Sequence, residues 1–132
     1  MGKYYGHADL LRERLDRMSL STLMTSLLAS LLAVLERKPA RALKLMQAAD
    51  TTREPEILVY FARHYSKIGK PNLAIQALQQ AAKNGFLCAP QTLTTDAWLH
   101  PLHQHPAFAS VLKDSQNRIH QAQAILNSFK SN

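Results

Sequence analysis

The run PEILVYFARHYSKIGKPNLAIQALQQAAKNG, from Pro55 to Gly85, restricts the fold more than any other part of the chain. It predicts two amphipathic helices joined by a tight turn at Gly69–Pro71. Small residues stand at Ala62, Ala74 and Ala81, and bulky ones at Leu58, Phe61, Tyr65 and Leu78. A methyl side chain lets two helix backbones approach closely, and the larger neighbours fill the space alongside. Gly69 suits the left-handed position that ends a helix, and Pro71 suits the first turn of the next. Hairpins of this kind stack on one another, and such a stack works as a scaffold.

The remaining segments also read as helices. Residues 8–18 carry a stripe of Leu10, Leu11, Leu15 and Met18, with Glu13 and Arg17 placed for an i,i+4 ion pair. Ser19 or Ser21 caps a second helix that runs to about Glu36. Pro39 opens a third, to about Ala49, and the polar run from Asp50 to Glu54 breaks it before Pro55. The hairpin's second helix runs from Pro71 to about Asn84. Thr95 or Asp96 caps a short helix through Leu99, which Pro101 interrupts. Pro106 opens a last long helix whose stripe is Phe108, Val111, Leu112, Ile119, Ala122, Leu126 and Phe129. No segment alternates with a period of two between turn signals, so the fold class is all-α. At 132 residues the chain can bury a core as one domain, residues 1–132.

A repeat underlies these helices. KPARALKLMQAAD from Lys38 resembles KPNLAIQALQQAAKN from Lys70, pairing Ala42 with Ala74, Met46 with Leu78 and Ala49 with Ala81 at a spacing of 32. The preceding helices align better at a spacing of 34, with Leu27, Leu28 and Leu31 on Phe61, Ala62 and Tyr65. A longer loop in the first hairpin would absorb the difference.

Composition sets broader bounds. The net charge of +7 admits nucleic acid, an acidic protein segment or an anionic membrane as partner, although no more than two basic residues are adjacent. A single cysteine, Cys88, rules out an intrachain disulfide and suits a reducing, cytoplasmic setting. Met18 to Leu35 lacks charge, but six Ser or Thr residues interrupt it. Leu20, Leu23, Met24, Leu27, Leu28, Leu31 and Leu35 keep to one face, which marks a buried soluble helix rather than a membrane span. That face exceeds what one hairpin partner covers. The helix at 8–18 packs on it, or it serves as a homodimer face across Leu20–Leu35 or as the exposed end of an array.

With Ala62 small, Tyr65 aromatic, Gly69 at the turn and Ala74 and Ala81 small again, the chain resembles the tetratricopeptide repeat (TPR) family, whose unit is about 34 residues. Leu58 stands where that family often has tryptophan, and Phe86 where it often has proline. Gly85, Phe86, Asp96, Trp98, Leu99, Pro101, Leu102, Pro106 and Phe108 resemble the tail that follows the last repeat in many bacterial multidomain signalling proteins. The resemblance implies an α-α superhelix of helical hairpins with a C-terminal capping helix. Its parts would be an N-terminal helix at 8–18, a degenerate repeat at 20–54, a well-matched repeat at 55–88, and a tail and capping helix at 89–132. It implies a module of a larger bacterial signalling or regulatory protein. The activity it implies is non-catalytic protein–protein interaction, with no cofactor. The concave wall would present Glu56, Val59, Tyr60, Arg63 and Lys67 to a partner helix or peptide, and an acidic peptide would pair with the two cations.

Other chemistry has less behind it. His100, His103 and His105 lie close together with Asp96 upstream, but Pro101 and Pro106 break the helix that would aim them at one metal ion, and a solvated turn is the simpler reading. Cys88 has no basic neighbour closer in sequence than Lys83 to make it a thiolate, so it packs as a small hydrophobe. A catalytic pair of Cys88 with His64 or His120 is the alternative. No phosphate loop, HExxH or GxSxG motif is present, so an enzyme is not expected. Two basic stripes, Arg37–Arg41–Lys44 and Arg63–Lys67–Lys70, offer a nucleic-acid surface as a second reading, against solvated faces as the plain one. The aromatic share of 7% does not suit a platform for stacking single-stranded bases.

Overall fold

The computed structural model describes residues 2–17, 22–49, 54–86 and 88–131. Among these, all regular structure is helical. The elements in order are α1 (Gly2–Arg17), α2 (Thr22–Leu35), α3 (Pro39–Ala48), α4 (Pro55–Lys67), α5 (Pro71–Lys83), α6 (Pro90–Thr95), a 3-10 turn (His100–Gln104) and α7 (Phe108–Lys130). No helix among the described residues is long and apolar enough to cross a membrane. The expected caps Ser19 and Ser21, the stripe residues Met18 and Leu20, and the break at residues 50–53 lie outside what is described, as do the side chains of Leu15 and of Arg17, the basic end of the expected ion pair.

Helices α2 and α3 form one hairpin and α4 and α5 the next, with α2 resting on α4 and α1 on α2. The two hairpin turns close in the same way. Lys38 N–H donates to Ala33 O at 2.8 Å, and Lys70 N–H donates to Tyr65 O at 2.8 Å. Ala42 N–H to Lys38 O and Ala74 N–H to Lys70 O are both 3.0 Å. The left-handed residue is Arg37 (φ 58°) in the first turn and Gly69 (φ 80°) in the second. Proline follows at N1 of both α3 and α5, where its missing N–H costs nothing.

This matching corrects the register expected for the first helices. The bonds of both turns repeat at 32 residues, and α2 runs unbroken into its turn. The 32-residue spacing therefore governs the whole hairpin, and the first has no longer loop. It pairs Ser30 with Ala62, and both are fully buried. The small residue of the first helix is thus a serine in one hairpin and an alanine in the other.

Two apolar clusters fill the body. One joins the hairpins through Leu27, Ala33, Val34, Ala42, Met46, Ile57 and Phe61. The other joins α4 and α5 to the C-terminal segment through Ala62, Ala74, Ile75, Leu78, Leu93, Leu99, Leu102 and Phe108. Three expectations change here. The N-terminal helix starts at Gly2 rather than at residue 8. The short helix lies at Pro90–Thr95, ending where Thr95 or Asp96 is expected to start one, and Pro101 helps to open the 3-10 turn rather than interrupting a helix. Helix α7 packs through its first turns only, since Ile125, Leu126 and Phe129 are exposed farther along. Helix α1 rests on α2, and of the leucine face of α2 Leu27 is buried while Leu23, Leu28, Leu31 and Leu35 are half-buried. Met24 is its exposed apolar residue among those described.

Candidate functional site

Helix α4 buries one face and offers the other. Phe61, Ala62, His64 and Ser66 turn inward, while Glu56, Val59, Tyr60, Arg63 and Lys67 follow one another at helical spacing on the outward side. Glu56, Tyr60 and Lys67 are exposed, and Val59 and Arg63 are half-buried. A groove of about 420 Å³ runs between this side of α4 and the segment from Phe86 to Asp96. Glu56, Val59, Tyr60 and Arg63 line one wall, with Phe86, Cys88, Ala89, Thr92 and Asp96 opposite. Lys67 lies beyond the groove, with Nζ 5.7 Å from the Trp98 ring centroid.

Arg63 is already engaged. Its Nε donates to Asp96 Oδ2 at 2.8 Å, and its guanidinium lies 4.8 Å over the Trp98 ring. Asp96 Oδ1 accepts the Trp98 backbone N–H at 2.9 Å, so one carboxylate fixes the turn and the arginine together. This pairing is not legible from sequence spacing, because the partners lie 33 residues apart. The only hint was the Asp-x-Trp spacing, which suits an Asx turn.

On the buried side of α4, His64 and Ser30 form a polar contact between the hairpins, Ser30 Oγ lying 2.8 Å from His64 Nδ1. Ser30 gives its hydroxyl proton to Leu27 O at 2.8 Å, so the histidine is the Nδ1–H tautomer and donates to Oγ. The ring sits between Phe61 and Trp98, with centroids at 6.3 and 6.0 Å. Burial, and after it the Arg63 charge, lowers the His64 pKa to about 4. In the sequence alone, His64 stands out only as a partner for Cys88. Its position three residues after Phe61, on the buried face of α4, was the signal for a core residue.

The other candidates have structural work. His103 Nε2 donates to Leu93 O at 3.1 Å, tying the 3-10 turn to α6. His105 accepts the Ala107 N–H at Nδ1 (3.0 Å) and donates from Nε2 to Asn72 Oδ1 (2.7 Å), which ties the segment before α7 to α5. These histidines are joints rather than a solvated turn. Among the described residues no group of three or more His, Cys, Asp or Glu side chains could hold a metal ion. Cys88 is half-buried, and burial, followed by the Asp96 charge, pushes its thiol pKa up, away from the thiolate. Of the first basic stripe, Arg41 lines a separate cavity of about 330 Å³ with Arg12, Lys38 and Glu36. Glu36 pairs with Arg12 and, at 3.9 Å, with Lys38.

Fold and site together define an all-helical chain of two successive hairpins, closed by a helical tail that forms one wall of a groove. Comparison with family models, with curated proteins and with solved structures gave no match.

Proposed function

We propose that this chain is a non-catalytic scaffold of tetratricopeptide-like hairpins, forming an α-α superhelix that captures a peptide or partner helix along α4. The observation that carries this reading is the groove of about 420 Å³, open along an exposed tyrosine and lined by four of the five residues expected to meet a partner. Aromatic residues beside an apolar cleft are common anchors of protein interfaces. The repeated turn bonds add support, since stacked hairpins present the outer sides of their first helices as a continuous wall. In this reading the chain is a module of a larger regulatory protein.

Peptide display against the immobilised chain tests the proposal. Selected peptides should perturb amide resonances of α4 and of the segment from Phe86 to Asp96, and should lose about ten-fold in affinity on Tyr60→Ala. Selected peptides that perturb only other surfaces, or none selected at all, would overturn it.

A further inference from the structure

The charges in the groove name the kind of guest it takes. Sequence alone pointed to an acidic peptide held by Arg63 and Lys67. In the structure, Arg63 is neutralised by Asp96 at 2.8 Å and stacked on Trp98, and Lys67 is not among the groove-lining residues. Glu56 lines the groove as an exposed carboxylate, with no cation near enough for an ion pair among the described residues. The lining therefore holds two carboxylates against one guanidinium, a net charge of −1. Glu56 lies in the first turn of α4, where the partial positive charge of the helix end, about half a unit, offsets part of this without reversing it.

The apolar part of the groove lies beside that charge. Val59, Phe86, Cys88 and Ala89 supply apolar walls, and Tyr60 stands one helical turn from Glu56. From Glu56 to Arg63 is seven residues, about 10 Å along the helix axis, which an extended peptide spans with about three residues.

Resting on the groove reading above, we infer that the occupant is a short peptide segment with an apolar anchor side chain in the cleft and an adjacent lysine or arginine against Glu56. The protein's overall positive charge works against a basic guest at long range. The contact with Glu56 is local and acts within a Debye length of about 8 Å at physiological salt, so it sets the choice once the anchor is seated.

Two fluorescein-labelled peptide pools test this. Both carry a fixed central leucine, one with lysine or arginine on either side and the other with glutamate or aspartate. Anisotropy should show the basic pool binding about ten-fold more tightly than the acidic pool. Glu56→Gln should abolish that preference and Glu56→Lys should reverse it, while Tyr60→Ala weakens both pools. A preference for the acidic pool that is unchanged in Glu56→Gln, with Tyr60→Ala still weakening binding, would overturn the charge assignment and leave the groove reading standing. Binding of neither pool, or binding indifferent to Tyr60→Ala, would overturn the groove itself and this inference with it.

Discussion

Ser30 and His64 are joined side chain to side chain at 2.8 Å across the boundary between the two hairpins, and both are buried. Ser66, also buried and also on the first helix of a hairpin, has an Oγ with no hydrogen-bond partner. The two serines should therefore answer alanine with opposite signs. Ser30→Ala strands the His64 donor and should cost about 1–3 kcal/mol in urea unfolding. Ser66→Ala removes an unpaired hydroxyl and should be neutral or stabilise by up to about 1 kcal/mol. A loss of stability in both variants would contradict the assignment.

The same contact gives a pH dependence. His64 titrates near 4 when folded and near 6.5 when unfolded, so between these values the unfolded chain binds the extra proton. Its contribution is fully present above pH 6.5 and falls away as the pH drops toward 4, by about 3 kcal/mol in all. Unfolding free energies at several pH values, for the natural chain and for His64→Leu, should differ by a slope confined to that window. Parallel curves would refute the buried neutral histidine.

At the turns, Gly69→Ala and Arg37→Gly should also move in opposite directions. A Cβ on Gly69 meets no atom within 4 Å, so its cost is the left-handed backbone alone, about 1 kcal/mol. Arg37 already bears that cost at φ 58°, and glycine there should recover part of it, less whatever the arginine side chain contributes. Denaturation midpoints measured side by side decide the sign.

Two leucines near the C-terminus separate core from surface. Leu102 is 0% exposed and Leu126 is 52% exposed. Leu102→Ala should cost about 2–5 kcal/mol, and Leu126→Ala should stay within about 0.5 kcal/mol. Trp98, the single tryptophan, packs against His64 and Arg63, so its fluorescence reports unfolding of the body in each case.

These contrasts mark how far the sequence could be read. Glycine and proline announced the turn at Gly69–Pro71, because each limits φ by covalent geometry alone. The matching turn at Arg37 was harder to see, since arginine carries no such mark, and the leucine-rich stretch of α2 fitted the second hairpin equally well two residues out of register. The outward side of α4 followed from helical spacing. What that side could bind did not, because the state of Arg63 depends on Asp96, a contact that only tertiary packing creates. The apolar stripe of α7 was visible too, but periodicity says which residues share a face and not whether anything covers it.

The identical closure of the two turns has a consequence for how such a chain can grow. A second copy of residues 38–69 inserted after Gly69 would place Gly69 before Lys38-Pro39, the same junction that Gly69 already makes with Lys70-Pro71. Every backbone bond at the new joint would have a precedent at an existing one. In-frame duplication could therefore lengthen the protein by whole hairpins without inventing a connection, and deletion of one unit would heal in the same way.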